Sequence, residues 1–183
     1  MEQDAVDLAD AVAARLSASA VPVARIRAGD FLRARSIRLE RGRDDPEAFY
    51  DLWYDFAALR REVLDPLGVG GRGTWLPRLR DPHTDRSVRE PVRMAAPGTV
   101  AVVDGRFLLR DDVRPGFDLT VHLAVSPAAQ NRRLPADERA RVVPAWARYL
   151  AECRPAEIAD VVAKFDHPDR PAVLSPGSSS ARP

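Results

Sequence analysis

A short apolar run that ends in a carboxylate and a glycine constrains the fold of this chain more than any other stretch. Val100–Val103 follow the turn-forming pair Pro97-Gly98, and Asp104 and Gly105 come directly after them. A short apolar run between turn signals predicts a strand buried on both faces, as in parallel sheets covered by helices. Ligands of such sheets bind outside the carboxyl ends of the strands. Asp104 is therefore a candidate magnesium ligand, directly or through water, although an Asp-Gly turn after a core strand explains the same residues equally well.

The rest of the apolar pattern alternates between strand and helix periods. This alternation predicts one α/β domain over residues 1–174 with a mainly parallel sheet, and a disordered Ser/Pro/Gly tail over 175–183. Helices are expected over 4–17, 45–64 and 137–153, the last kinked or divided at Pro144. Strands are expected over 21–26, 100–103, 118–125 and 159–165, and a hairpin with arms over 75–79 and 87–94.

Charge and cysteine content exclude several classes of protein. The 183 residues carry a formal net charge of +1, so we expect no broad attraction to nucleic acid or to a membrane surface. Cys153 is the single cysteine, which excludes an internal disulfide and fits the reducing cytoplasm. We find no apolar run long enough to span a membrane. The chain can also be a homo-oligomer, since the sequence does not determine its oligomeric state.

One glycine-rich stretch imitates a nucleotide-binding motif. Residues 68–73 match G-x-G-x-x-G. A dinucleotide fingerprint must follow a strand and open a helix, whereas this stretch follows a predicted helix and leads into a predicted hairpin. We therefore do not interpret it as a dinucleotide site.

Several other stretches carry a family likeness through their order and spacing, over about residues 21 to 174. They are Gly29-Asp30-Phe31, Phe49-Tyr50, Tyr54-Asp55, Asp65-Pro66-Leu67, Val102-Val103-Asp104-Gly105-Arg106-Phe107-Leu108, and Pro144 with Tyr149-Leu150-Ala151-Glu152-Cys153-Arg154-Pro155 and Ala159-Asp160-Val161-Val162. Together they resemble the uridine kinase family of P-loop phosphotransferases, most closely its bacterial uridine kinase-like branch.

The resemblance implies a reaction and a fold. Family members transfer the γ-phosphoryl group of ATP to the 5′-hydroxyl of a pyrimidine nucleoside, with magnesium. Their fold is a P-loop-kinase-like parallel sheet of five strands flanked by helices, with a β-hairpin over the nucleoside and an arginine-bearing lid over ATP. We accordingly expect ATP and magnesium as cofactors and a nucleoside as substrate.

The resemblance also implies roles for particular residues. Asp104 corresponds to the acidic residue near the magnesium, and Arg132 and Arg133 resemble the lid arginines that steady the transferring phosphoryl group. Trp75 lies where the hairpin of the family has an aromatic residue that stacks on the base. His83 is a candidate hydrogen-bond partner of the pyrimidine, although an exposed turn histidine explains it as well.

Two departures from the family count against a working kinase. A Walker A loop, G-x-x-x-x-G-K-[ST], is absent from the expected place: the helix over 4–17 corresponds to the one that follows the loop, and only residues 1–3 precede it. Lys164, the only lysine, is far along the chain. The second departure is Gly29, which stands where the family has its acidic base. Asp30, one residue later, is the candidate replacement.

The strand that precedes the Walker A loop in the family lies in the middle of the sheet, between the strands predicted at 100–103 and 118–125. Without it, two apolar strand edges face a gap. Either the sheet closes in another order, or the chain is a shortened version whose start lies too far downstream, or it is a degenerate relative that has lost catalysis. The expected function is a uridine kinase-like phosphotransferase that is inactive as the chain stands. The alternative is a binding module for a nucleoside or a partner protein.

Overall fold

Strands and helices alternate along the chain in a computed structural model that describes residues 2–167 and 171–174. The helices are α1 (Glu2–Ala18), α2 (Arg35–Arg38), α3 (Pro46–Asp51), α4 (Phe56–Leu59), α5 (Asp65–Leu67), α6 (Pro127–Arg133), α7 (Ala136–Cys153) and α8 (Pro155–Ile158). The strands are β1 (Val23–Arg27), β2 (Thr74–Trp75), β3 (Arg93–Met94), β4 (Val100–Asp104), β5 (Val121–Ala124), β6 (Val161–Lys164) and β7 (Ala172–Leu174). Short 3-10 turns cover Ala28–Phe31 and Arg114–Gly116, and a π-helical turn covers Arg60–Leu64.

The strands form parallel pairs, which confirms the predicted α/β class with a parallel sheet flanked by helices. β1 pairs with β4 from Val23 opposite Val100 to Arg27 opposite Asp104. β5 pairs in parallel with β6, and β7 adds an antiparallel edge that the sequence analysis did not predict. β2 and β3 form the expected hairpin, with arms shorter than predicted. No helix in the described part of the chain is both long and apolar enough to cross a membrane.

The sheet has helices on both faces, as the side chains of β1 show. The Arg25 side chain reaches α1, where its Nε lies 2.7 Å from the Asp10 carboxylate. Its neighbours Ala24 and Ile26 are fully buried in the aromatic core on the opposite face, because successive side chains of a strand alternate. α1 therefore covers one face of the sheet, and the core built around α3, α4 and α7 covers the other.

A cavity separates the two parallel pairs. Among the described strands, β4 pairs with β1 alone, and β5 pairs with β6 alone. The cavity between β4 and β5 has a volume of about 620 Å³, and residues of α1, β4, β5 and α7 line it. We call this cavity the β4–β5 slot. It agrees with the gap that the resemblance predicts in the middle of the sheet.

Phe107 anchors the loop after β4 in the core. Its ring centroid lies 5.6 Å from that of Phe49, 5.0 Å from Tyr50 and 5.4 Å from Tyr149, each in an edge-on arrangement. The residue adopts a left-handed backbone with φ of 63°, which is strained for a bulky side chain. The Tyr149 hydroxyl accepts a hydrogen bond from the backbone N–H of Leu109 at 3.2 Å. Aromatic packing thus fixes the chain beyond Asp104, and the strand does not extend through 107–109.

The single helix expected over 45–64 is wrong, because the chain leaves the helical path after α3. The backbone N–H of Asp55 donates to the carbonyl of Phe31 at 2.8 Å, and the N–H of Arg33 donates to the carbonyl of Trp53 at 2.9 Å. These long-range bonds take the place of helical ones. The Asp55 carboxylate then caps α4 by accepting from the N–H of Ala58.

Of the two outcomes predicted at Pro144, a kink or a division, division of the helix is wrong, because α7 is continuous through it. Val142, Ala145 and Tyr149 are buried on both sides of the proline, and this packing offsets the hydrogen bond that the proline cannot make. The glycine stretch over 68–73 follows α5 and leads into β2, as expected for a connecting loop. The tail expected over 175–183 lies outside the described residues.

We expect Gly105→Ala to lower the free energy of unfolding by about 1–3 kcal/mol, measured by chemical denaturation. A Cβ atom at position 105 would collide with the Cβ of Ala28, because the segments after β1 and β4 pack directly against each other. Gly29→Ala is the matched control, since the nearest atom to its added Cβ is the Glu2 Oε1 at 3.8 Å. Equal stability of the two variants would contradict this packing.

We expect the free energy of unfolding to fall by about 2–3 kcal/mol between pH 7 and pH 4.5 through His122 alone. Burial lowers the pKa of His122 from 6.5 to about 4. Over this pH range the unfolded chain binds a proton on the imidazole and the folded chain does not, so acid favours unfolding.

Urea titrations of wild type and His122→Leu at both pH values isolate this contribution from that of the carboxylates. His83→Leu is the control, because His83 is exposed and lies in a turn. A wild-type pH dependence in His122→Leu would show that the imidazole is not the source.

Candidate functional site

The carboxyl ends of β1 and β4 bring two predicted site residues close together. Gly105 packs directly against Ala28, so the turn that carries Asp30 lies beside the turn that follows Asp104. Burial raises the pKa of the Asp30 carboxyl, Arg78 and Arg27 oppose this rise, and the nearby Asp104 adds to it. The two carboxylates therefore share one edge of the sheet, as the resemblance predicts.

Asp104 is buried and already has a cationic partner. Its Oδ1 lies 2.5 Å from Nη1 of Arg25, which projects from the neighbouring strand β1. Burial raises the pKa of Asp104, and the hydrogen bond and charge of Arg25 oppose that rise. Arg25 also contacts Asp10 of α1, so this guanidinium joins β1, β4 and α1.

Oδ1 of Asp104 is not free to bind a magnesium ion directly. Magnesium is usually held by one or two carboxylates together with phosphate oxygens and water. Here the guanidinium of Arg25 takes the carboxylate, and a cation at the same oxygen would have to displace it. Within residues 2–167 and 171–174, no three His, Cys, Asp or Glu side chains converge, so a magnesium ion here would depend on phosphate oxygens and water for most of its ligands. Magnesium and ATP stay predictions of the resemblance.

The first turn of α1 places carboxylates where an anion would otherwise bind. Oε2 of Glu2 lies 2.9 Å from Nη2 of Arg106, which follows β4. Oδ2 of Asp4 lies 2.9 Å from Nη1 of Arg133, at the end of α6. A helix N-terminus attracts negative charge through its free N–H groups. In α1 the chain itself supplies that charge, and the same carboxylates hold two arginines.

Asp30 lies at the junction between β1 and the hairpin region. The backbone N–H groups of Leu79 and Arg80 both donate to the carbonyl of Asp30, at 3.0 and 3.1 Å. These bonds hold the hairpin connection against the turn that carries the carboxylate. Gly29, where the family has its base, has the Glu2 carboxylate beside it. The carboxylates of Asp30 and Glu2 both belong to residues beside this position.

Of the two candidate nucleoside-binding residues in the hairpin region, Trp75 is buried and His83 is exposed. Trp75 is only 6% exposed, and the guanidinium of Arg93 lies 5.4 Å from its ring centroid. A base could stack on this indole only after Arg93 moves. His83 is exposed in a turn, where its backbone N–H donates to the Asp81 carboxylate at 2.8 Å. The contacts of His83 are therefore those of a turn residue.

The two predicted lid arginines have different environments. Arg132 is exposed at the surface of α6. Arg133 is half-buried, and in addition to its ion pair with Asp4 it donates through Nη2 to the backbone carbonyl of Asp166 at 2.6 Å. Arg133 thus ties the end of α6 to the start of α1 and to the segment after β6. The structure brings Arg133 to the carboxyl edge of the sheet and leaves Arg132 on the surface.

Sequence reasoning missed Arg25, Arg106, Glu2 and Asp4 as parts of this edge. Arg25 carried one signal, because a charged residue in the middle of an apolar strand needs a partner. Arg106 stands within the quoted run after β4, but its partner Glu2 is more than a hundred residues away in the sequence. No local pattern indicates such a pair.

Comparison with solved structures identifies the fold. A possible uridine kinase from Bacillus stearothermophilus matches this chain with a TM-score of 0.71 and 23% sequence identity, over 86% of this chain and 80% of that one. This likeness shows a P-loop kinase-like fold. No protein-family model matches the sequence. No curated protein matches it either.

We expect the double variant Glu2→Gln, Asp4→Asn to bind ATP at least about tenfold more tightly than wild type, measured by isothermal titration without magnesium. Removal of both charges frees Arg106 and Arg133 and leaves the N-terminus of α1 open to phosphate oxygens. Asp7→Asn is the matched control, because Asp7 is exposed on α1 and its carboxylate accepts a hydrogen bond from Gln3 of the same helix. An equal gain in the control would show a general charge effect instead.

Proposed function

We propose that this chain is a nucleoside-binding protein on a P-loop kinase-like scaffold, and that residues 1–183 do not transfer a phosphoryl group. The relevant reaction in the family that the sequence resembles is transfer from ATP to the 5′-hydroxyl of a pyrimidine nucleoside. The P-loop kinase-like fold supports a relation to kinases. The contacts at the carboxyl edge favour a chain that binds the nucleoside, which is the phosphoryl acceptor, and that lacks a site for ATP, which is the donor.

The ion pairs of α1 carry this proposal. Phosphoryl transfer depends on cationic groups and backbone N–H groups that surround the β- and γ-phosphates. In this chain, the carboxylates of Glu2 and Asp4 occupy Arg106 and Arg133, and both belong to the first turn of the helix that would face the phosphates. Phosphates at this position would meet two negative charges and arginines that are already neutralised.

The lysine content supports the same conclusion. A P-loop lysine contacts the β- and γ-phosphates directly. The only lysine of the chain, Lys164, is exposed on β6, and β5 lies between β6 and the slot. Arg25 forms an ion pair with Asp104, but its guanidinium is also paired with Asp10, so it is not available to a phosphate. Positioning and charge stabilisation of a phosphoryl group both lack their usual residues.

The residues that we assign to nucleoside binding have contacts more suitable for their role than those of the ATP side. The Asp30 carboxyl has a pKa raised by burial, which makes it a stronger base than an exposed aspartate. Its backbone holds the hairpin connection, and Trp75 lies on the first strand of the same hairpin. We assign Asp30 to a hydrogen bond with a sugar hydroxyl and Trp75 to the base, with Arg93 displaced from the indole.

We expect uridine or cytidine to bind the 183-residue chain with a dissociation constant that Asp30→Asn raises at least about fivefold, because the variant loses a charge-assisted hydrogen bond. Isothermal titration measures the binding. Transfer of labelled phosphate from ATP to either nucleoside should stay at the level of a blank without protein.

Asp44→Asn is the control for charge, since Asp44 is exposed and distant in sequence from the hairpin. Two results would overturn the proposal. Turnover of labelled ATP by the purified chain would show a donor site that we have not recognised. An identical nucleoside affinity in Asp30→Asn and Asp44→Asn would remove Asp30 from the acceptor site.

A further inference from the structure

Asp85 adopts a backbone conformation that is uncommon for a residue with a side chain. Its φ is 58°, in the left-handed region. It lies in the turn over residues 81–86, where its N–H donates to the carbonyl of Asp81 at 2.9 Å and the N–H of Asp81 donates to the carbonyl of Arg86 at 3.0 Å. A strained residue persists where its surroundings hold it in place. The contacts of Asp85 therefore indicate what holds this turn.

The carboxylate of Asp85 attaches the turn over 81–86 to α2. The backbone N–H of Arg35 lies 3.1 Å from Oδ1 and 2.9 Å from Oδ2 of this carboxylate, and Nη2 of Arg38 donates to Oδ1 at 2.9 Å. The backbone hydrogen bond from Arg35 and the guanidinium of Arg38 hold the pKa of Asp85 below its usual value. The carboxylate is thus charged at neutral pH, and its hydrogen bonds are charge-assisted.

Arg38 gives α2 a firm attachment to the rest of the molecule. Its side chain is buried, and its guanidinium lies 5.1 Å from the ring centroid of Trp53. Nε1 of Trp53 donates to the backbone carbonyl of Arg38 at 3.1 Å, and Nε of Arg38 donates to the carbonyl of Arg33 at 2.9 Å. Trp53 in turn packs against the aromatic core. The carboxylate of Asp85 therefore holds the turn over 81–86 on a well-packed support.

Arg80 connects the same turn to Asp30. The backbone N–H of Arg80 donates to the carbonyl of Asp30 at 3.1 Å, and Nη1 of Arg80 donates to the backbone carbonyl of Asp85. Asp85 then contacts Arg35, which follows Asp30 by five residues. These contacts close a ring on the segment of chain that carries the Asp30 carboxylate. The ring limits the directions in which that carboxylate can point.

We propose that Asp85 is a positioning residue of the nucleoside site, which holds the Asp30 turn and the hairpin connection in one arrangement through Arg80 and α2. This inference rests on the nucleoside function proposed above. It assigns to Asp85 no contact with the ligand, because its carboxylate is already bound to α2.

Asp81 offers a matched comparison within the same turn. Its carboxylate accepts hydrogen bonds from the backbone N–H groups of His83 and Thr84, at 2.8 and 2.9 Å. These bonds stabilise the turn from within and do not reach α2. Asp81→Asn and Asp85→Asn each remove one negative charge from the turn, and asparagine tolerates the left-handed backbone at position 85.

The test compares the two variants in the full 183-residue chain. Hydrogen exchange followed by NMR reads the amides of Leu79 and Arg80, which both donate to the carbonyl of Asp30. We expect Asp85→Asn to speed exchange of these amides at least about tenfold, because the hairpin connection opens locally more often. We expect it to raise the dissociation constant of uridine at least about fivefold in isothermal titration, and Asp81→Asn to change either quantity less than about twofold.

A double-mutant cycle separates positioning from a general loss of structure. If Asp85 acts through the placement of the Asp30 carboxylate, Asp85→Asn should weaken uridine binding less than about twofold in a chain that already carries Asp30→Asn. Urea titration measures the global stability of each variant. Should Asp85→Asn fail to fold, Arg80→Gln takes its place, since it removes the guanidinium that reaches Asp85 and keeps the backbone N–H that donates to Asp30.

Three results would overturn the role of Asp85. They are equal amide exchange in Asp85→Asn and Asp81→Asn, equal uridine affinity in these two variants, and the same loss of affinity from Asp85→Asn with and without the Asp30 carboxylate. A wild-type chain that does not bind uridine would overturn the nucleoside function. The amide exchange needs no ligand, so it tests separately whether Asp85 holds the Asp30 turn.

Discussion

Ion pairs between arginines and carboxylates determine what the carboxyl edge of this sheet can bind. Arg25 holds Asp104, Arg106 holds Glu2, and Arg133 holds Asp4. Each pair joins residues that are distant in the sequence, so the pairs also attach α1 to the strands. A partly buried charge that loses its partner is costly, so an incoming anion must compensate for the carboxylate it displaces. Each of the three arginines at this edge therefore already has a carboxylate partner.

The strands and their order along the chain could be predicted approximately from the apolar pattern. Val100–Asp104 is a short apolar run that ends at an Asp-Gly pair, and the structure has a strand there with Asp104 at its end. The gap beside this strand was predicted from the family resemblance, because the local apolar pattern carries no information about it. β7 was missed, because Ala172–Leu174 is a short run of three residues that forms a strand only against β6.

Failures of prediction occur where long-range contacts override local ones. Residues 52–55 continue the helical pattern of α3, yet their backbone forms hydrogen bonds with Phe31 and Arg33. A window as short as one helix does not contain both ends of these bonds. Asp104 was predicted as a magnesium ligand from its position at the end of β4, and what local sequence could not predict is its ion pair with Arg25 on another strand. The resemblance singled out Asp30 and Arg133, both of which lie at the carboxyl edge of the sheet, and their contacts with the hairpin and α1 came only from the structure.

The pairing of β1 with β4 has a consequence for synthesis of the chain. Arg25 and Val102 face each other across the two strands, and 77 positions separate them in the sequence. At a synthesis rate of about 5–20 residues per second, β1 waits roughly 4–15 s for its partner. During that time the apolar residues Ala24 and Ile26 can be covered only by the part of the aromatic core that is already made, on the face of β1 opposite α1. The Arg25–Asp10 contact joins segments only 15 residues apart, so α1 can attach to the other face of β1 before β4 is made.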